Sequence, residues 1–288
     1  MNSTNVDIAI LGAGPAGLAA ACECIDRGLT YALLDRRGLA QSFHQYPHGL
    51  RFFSPPDEME IGGVPLPVAG GEKPTREQYL SYLRAVVRAR NLNLSTWQAV
   101  THCREHADTY ELTLERQPCG DETRILRCGG IVLATGVWSE PIRLQVPGDS
   151  APNVFSEYTE PTPFCGQDVL VIGGGNSALG AALSLMEARA AVTLSMRRPP
   201  LDYRCGVRPF VKRNLDFAVN EGKINLHANT MVREITADCA VLQPVEYTGH
   251  EELTEGSMAD YRVAGEPYTV AVRFARFDRN GQFRKESD

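Results

Sequence analysis

Runs of consecutive apolar residues in this chain alternate with stretches whose apolar positions recur every three to four residues. The first pattern predicts buried strands and the second amphipathic helices. "VDIAIL" (6–11) predicts a strand. A glycine turn follows, Gly12-x-Gly14-x-x-Gly17, and then a helix to about Arg27 with Gly28 as its stop. "TYALLD" (30–35) predicts a second strand ending at Asp35. Between Lys73 and Arg90, Leu80, Leu83, Val86 and Val87 share one helical face, and Thr75 with Gln78 three residues on predicts a capping box. Further strands are predicted over 92–100, 109–115 and 124–136. Prolines at 141, 147, 152, 161 and 163 then mark a linker. Beyond it "DVLVIGGGNSALGAALSL" (168–185) repeats the strand, glycine turn and helix, and "AVTLSM" (191–196) repeats the second strand. After about Ala237 the pattern weakens, and "YTVAVRFARF" (268–277) predicts one more strand.

The repeated unit carries the chemistry. In such a turn the first glycine permits the tight bend, the second lets the backbone approach a pyrophosphate, and the third keeps helix and strand close. The unpaired N–H groups and dipole of the helix N-terminus favour the phosphates. Each copy lies between a predicted strand and a predicted helix, the context the motif requires. Gly12, Gly14, Pro15, Ala16 and Gly17 form the first candidate loop, and Gly173, Gly175, Asn176 and Ser177 the second.

The second strands distinguish the copies. Asp35 lies 23 positions after Gly12. A carboxylate there accepts hydrogen bonds from ribose hydroxyls and repels a 2′-phosphate. Arg197 lies 24 positions after Gly173 and is followed by Arg198. Guanidinium groups suit a 2′-phosphate by charge and bidentate geometry, although two solvated surface arginines are the alternative. The first loop is thus expected to hold a dinucleotide with a free ribose and the second NADPH. Two dinucleotides in one chain point to electron transfer from nicotinamide to a flavin and on to an acceptor.

Composition narrows the partners. The chain has 288 residues, a net charge of −6 with both signs interspersed, 43% hydrophobic and 22% charged residues. That balance is ordinary for a soluble globular protein and predicts no nucleic-acid or membrane partner. "MNSTNVD" lacks the features of a secretory signal, so a cytoplasmic setting and reduced thiols are expected for the eight cysteines.

The paired loops, "IVLATGVWSEPIRLQVPG" (131–148) and "GGGNSA" followed by "RR" resemble the thioredoxin-reductase-like flavoproteins. "QSFHQYPHGLRFFSPPDEMEIGGVPL" (41–66) followed by "KPTREQYLSYLR" (73–84) is similar, more specifically, to the bacillithiol-disulfide reductase branch. The resemblance implies an α/β protein of two Rossmann-like, three-layer ββα dinucleotide-binding domains, the second inserted into the first. It implies FAD on residues 1–150 plus 265–288 and NADPH on 151–264. Ser42, Tyr46, Phe52, Phe53 and Ser54 are then expected around the flavin, with Thr135 and Gly136 where the chain returns beneath it. The acceptor is expected to be a small molecule or a small redox protein, and the assembly a homo-oligomer.

The chain departs from that pattern in three ways. It has no CxxC, and Ala16 stands where the bacillithiol branch has a cysteine. It also stops short of the segment with which those families complete the FAD site, so weak FAD binding is expected. A flavin monooxygenase is the second reading, since "VFSEYTEPTPFCGQDVLVIGGGNS" (154–177) is similar in layout to the stretch before the NADPH loop of those enzymes, with Phe155 where their histidine stands. A non-catalytic nucleotide-binding module is the third.

Two side-chain groups stay open at this level, and a third is a false lead. His44 and His48 are candidates for proton donation to substrate, or are structural loop histidines. Phe52 and Phe53 either stack on the flavin or fill core. "HCREH" (102–106) imitates an inverted zinc-protease motif, which needs a helix; between strands no metal site is expected.

Overall fold

The computed structural model describes residues 3–120, 122–137, 143–197, 207–247, 261–271, 276–277 and 283–284. The chain divides into two compact units, 1–141 and 142–288.

In the first unit β1 (Ser3–Leu11) leads through the glycine turn into α1 (Pro15–Asp26), followed by β2 (Tyr31–Asp35), the single turn α2 (Gln41–His44) and α3 (Arg76–Ala89). Then come β3 (Leu94–Thr96), β4 (Gln98–His106), β5 (Thr109–Arg116) and β6 (Thr123–Leu133). The sheet order is β3-β2-β1-β6-β5-β4. β3, β2, β1 and β6 run parallel, and β4 and β5 continue antiparallel from β6.

Alternation along the central strands makes three layers, because successive side chains leave opposite faces of a sheet. Ile10 and Leu33 join a core with Leu18, Ala21 and Cys22 of α1 and Leu80, Leu83 and Val86 of α3. Their neighbours Ala9 and Leu34 face the other way, onto Leu112, Leu114, Leu126 and Cys128 of β5 and β6. Helices thus cover one face of the parallel strands and the antiparallel strands cover the other. α3 starts with the expected capping box: Thr75 accepts the Gln78 N–H at 3.2 Å, and Gln78 accepts the Thr75 N–H at 2.8 Å.

The strand expected over 92–100 is two strands. Trp97, at φ 58°, breaks it between β3 and β4. "HCREH" lies inside β4, so its two histidines stand four residues apart on an extended strand, about 13 Å, too far to share one ion.

The second unit repeats the plan with β7 (Asp168–Ile172), α4 (Asn176–Glu187), β8 (Ala191–Met196), α5 (Pro209–Asn220) and β9 (Ile224–Ala228). Its parallel sheet has the order β7-β8-β9. Val192, Leu194 and Met196 alternate onto Leu179, Ala182 and Leu185 of α4 and Val211, Leu215 and Ala218 of α5. An antiparallel sheet follows: β10 (Thr230–Ile235), β11 (Cys239–Tyr247), β12 (Tyr261–Val263) and β13 (Tyr268–Ala271). β13, within the strand expected to rejoin the first domain, pairs with β11, Cys239 opposite Ala271 and Leu242 opposite Tyr268. No helix among the described residues is long and apolar enough to cross a membrane.

Candidate functional site

The first loop is held by contacts that only glycine tolerates at two positions. Gly12 has φ +115°, and a Cβ there would lie 2.2 Å from the Ala134 carbonyl oxygen. A Cβ on Gly17 would lie 1.8 Å from the Gly12 carbonyl oxygen. These two glycines are therefore steric requirements of the turn itself. Gly14 differs: nothing lies within 4 Å of a Cβ built on it. It is the N-cap of α1, has no side-chain cap, and is followed by Pro15, which has no N–H. An open backbone at an uncapped helix N-terminus suits a phosphate. Ala16 is exposed in the same first turn.

Asp35, the last residue of β2, closes over this loop. Its Oδ2 accepts the Ala13 N–H at 2.8 Å and its Oδ1 accepts the Arg37 N–H at 2.8 Å. Each carboxylate oxygen has a second lone pair, so the group can still accept ribose hydroxyls. The ATG segment lies on the other side of the turn: the Ala134 N–H donates to the Leu11 carbonyl at 2.8 Å. Thr135 and Gly136 follow, both exposed. Gly12, Ala13, Asp35 and Thr135 are thus one neighbourhood, at the carboxyl ends of parallel strands where open α/β sheets bind ligands. Ala13 and Ala134, which act through backbone groups, leave no side-chain signal in the sequence.

The segment 41–54 is anchored to α3. Leu50 O accepts the Arg76 N–H at 2.8 Å, and the Phe52 N–H donates to Pro74 O at 3.0 Å. The Arg76 Nη1 donates to Tyr46 O at 2.9 Å. Its Nε lies 3.3 Å from a Glu77 carboxylate oxygen, within ion-pair range but without hydrogen-bond geometry. Phe52 belongs to an aromatic cluster, 5.6 Å from Phe43 and 5.1 Å from Tyr79 between ring centroids. Tyr46 stands 5.1 Å from Phe43. Burial holds the Tyr46 hydroxyl above its ordinary pKa, and burial followed by the neighbouring Tyr82 pushes Tyr79 up to about 12. Phe52 packs, half-buried, against the core, Tyr46 is half-buried beside Phe43, and Phe53 is 38% exposed. Ser42 and Ser54 are half-buried, and His44 and His48 are exposed.

The second loop has the same geometry with different chemistry beside it. Gly173 has φ +134°, and its N–H donates to Ser195 O at 2.9 Å. Gly175 is the N-cap of α4, with no side-chain cap and nothing within 4 Å of an added Cβ. Strand pairing sets the equivalence: Leu11 lies opposite Leu34 and Ile172 opposite Ser195. Met196 thus holds the place of Asp35. It lies under Gly174, whose added Cβ would be 3.6 Å from Met196 Cβ, where Asp35 in the first unit bonds Ala13. Arg197 comes one residue later, and Arg198 lies outside the described residues. Asn176, at the start of α4, accepts the Arg208 N–H at 2.9 Å. That bond joins the loop to the N-cap of α5, a link across 32 residues that spacing does not reveal. Ser177 follows Asn176 and opens the same turn.

A family model described as pyridine nucleotide-disulphide oxidoreductase matches residues 9–256. The chain is 31% identical over 244 residues to a bacilliredoxin reductase of Bacillus subtilis (strain 168), covering 85% of this chain and 71% of that one. It is 30% identical over 207 residues to an indole-3-pyruvate monooxygenase of Oryza sativa subsp. japonica, covering 65% of this chain and 46% of that one. Among solved structures, a bacillithiol disulfide reductase from Staphylococcus aureus superposes with a TM-score of 0.80 at 31% identity, covering 94% of this chain and 75% of that one.

Proposed function

The chain belongs to the pyridine nucleotide-disulphide oxidoreductase family, and we propose that it is an NADPH-dependent FAD oxidoreductase with a small-molecule or small-protein acceptor. One observation carries the reading. Two glycine loops of like geometry end in unlike chemistry, a carboxylate at Asp35 and an apolar Met196 followed by Arg197.

In this reading the first unit holds FAD and the second NADPH. When bound, the two cofactors supply hydride and electron transfer. The residues supply position. The N-terminus of α1 and the open face of Gly14 receive the FAD pyrophosphate, and Asp35 accepts its ribose hydroxyls. The N-terminus of α4 and the open face of Gly175 receive the NADPH pyrophosphate. Met196 offers no carboxylate to repel a 2′-phosphate, and Arg197 with Arg198 attracts it. Ser42, Tyr46, Phe52, Phe53 and Ser54 are the residues of segment 41–54 that would border the flavin.

The named activity of the Staphylococcus aureus structure makes a low-molecular-weight disulfide the first acceptor to assay. No CxxC stands in this sequence, so electrons would pass from flavin to acceptor without that protein dithiol. A soluble, cytoplasmic homo-oligomer fits the same reading.

The test is anaerobic stopped flow of FAD-loaded protein. NADPH should bleach the flavin, and NADH should do so more slowly. Failure to bind FAD, or reduction by neither nucleotide, refutes the reading. The monooxygenase similarity favours one competing outcome: NADPH oxidation that consumes oxygen and needs no disulfide.

A further inference from the structure

The two sheets of the second unit are joined by a pair of side chains. His227 lies in β9, on the face turned away from α4 and α5, since Ile224, Leu226 and Ala228 alternate onto the helices. Its Nδ1 stands 2.8 Å from the hydroxyl of Tyr268, the first residue of β13. The two rings are 5.5 Å apart between centroids. β13 belongs to the antiparallel sheet, where Tyr268 lies opposite Leu242 of β11. The side-chain bond therefore ties β13 to the parallel sheet, across 41 residues of chain.

The other ring nitrogen makes this tie sensitive to protons. His227 Nε2 is buried and has no hydrogen-bond partner among the described residues. A neutral ring can donate from Nδ1 to the Tyr268 oxygen and leave Nε2 a bare acceptor. An imidazolium carries hydrogen on both nitrogens, and its second N–H would be a buried, charged donor without an acceptor. Nothing around the ring offsets that cost. β8 presents Ser195, opposite His227 in the sheet. β10 presents Thr230, whose hydroxyl is engaged with Ser195 at 2.9 Å and with the His227 carbonyl at 2.8 Å. β13 presents Tyr268, whose ionisation burial holds back. The charged groups of the antiparallel sheet and its turns, Arg233, Glu234, Asp238, Glu246 and Glu266, are exposed. None of them moves the His227 pKa, which burial alone lowers.

We infer that His227 and Tyr268 form an acid-released latch between the two sheets of the second unit. Protonation favours a ring swung into water. That movement breaks the contact with Tyr268 and frees the start of β13 from β9, while the ladder to β11 remains. The released ring titrates at the ordinary 6.5 and the latched ring below it. The latched form thus binds fewer protons. It is at full strength above about pH 7, and its closing equilibrium weakens about tenfold per pH unit below 6.5 until the latched ring itself takes up a proton. The latch draws on the second unit alone and does not depend on which cofactors the chain holds.

The experiment uses the full chain with labelled histidine. The His227 resonance, identified by its loss in His227→Gln or its shift in Tyr268→Phe, should titrate below 6.5 in the parent. Hydrogen exchange is then followed in β13, with β1 as the internal control, at about pH 7.5 and about pH 5.5 and with intrinsic rates divided out. Protection of β13 in the parent should fall severalfold, up to about tenfold, on acidification, and protection of β1 should not. His227→Gln stays neutral, so its β13 should be equally protected at both pH values. Tyr268→Phe lacks the hydroxyl, so its β13 should already be less protected at neutral pH. A His227 pKa at or above 6.5 overturns the latch. So does the same acid response in His227→Gln, or parent-like protection in Tyr268→Phe. The first and third of these readouts do not require the glutamine variant to fold.

Discussion

Asp35 Oδ2 accepts the backbone N–H of Ala13 at 2.8 Å, so the end of β2 braces the turn that follows β1. In the proposed function the same carboxylate also accepts a ribose hydroxyl. Asp35→Ala should weaken FAD about tenfold to a hundredfold, the effect of losing a hydrogen bond to a charged group. It should also lower the melting temperature, because the Ala13 N–H loses its partner. NADP⁺ binding should be unchanged. Fluorescence titration and thermal melts of the variant check the three effects.

Gly12 and Gly14 should respond differently to the same methyl group. Gly12→Ala places Cβ 2.2 Å from the Ala134 carbonyl oxygen and should destabilise the first unit and abolish flavin binding. Gly14→Ala meets no atom within 4 Å, so the fold should survive with little loss of stability. In the proposed function its Cβ would crowd the phosphate at the N-terminus of α1, so FAD affinity should still fall. Chemical denaturation paired with FAD titration separates these outcomes. Equal stability of the two variants would contradict the geometry.

Arg197 should set the nucleotide preference. One charged hydrogen bond accounts for about tenfold to a hundredfold between NADPH and NADH. Arg197→Ala should lose most of that factor, leave NADH nearly unchanged and reduce the salt dependence of NADPH binding. Rates of flavin reduction with each nucleotide at low and high ionic strength are the measurement. An equal loss for both nucleotides would assign the arginine to the fold.

Tyr79 should make the protein sensitive to alkali. Its hydroxyl stays protonated in the folded chain to about pH 12, against 10.0 for an ordinary tyrosine. Exposed in an unfolded chain, it ionises two units earlier and stabilises that state. The advantage of the folded form is complete below about pH 10 and declines as pH rises toward 12. Tyr79→Phe removes this dependence. The Tyr79 hydroxyl donates to Met59 O at 3.5 Å, a long bond, so the loss at neutral pH should be small. Melting temperatures of the two proteins should be similar up to about pH 9 and then diverge toward pH 11.5, the parent falling below Tyr79→Phe.

The sequence by itself determined the local devices. Gly12 and Gly17 are demanded by a turn whose clashes lie within a few residues or across one strand, so residue type and spacing announce them. The same holds for the Thr75–Gln78 capping box, complete within four residues. The two Rossmann-type units followed from these signals and from strand and helix periodicity. What the tertiary structure decided depends on contacts between distant positions. Counting from the glycines made Arg197 the counterpart of Asp35, but strand register gives that place to Met196. Phe52 meets Phe43 and Tyr79 only in the fold, at 5.6 and 5.1 Å between ring centroids. Trp97 hid inside an apolar run because its break is stabilised by Arg37 and Gln117. β13 pairs with β11 across about thirty residues, a choice that its own alternation of apolar residues leaves open. Periodicity records which face of an element is buried; it does not record what covers that face.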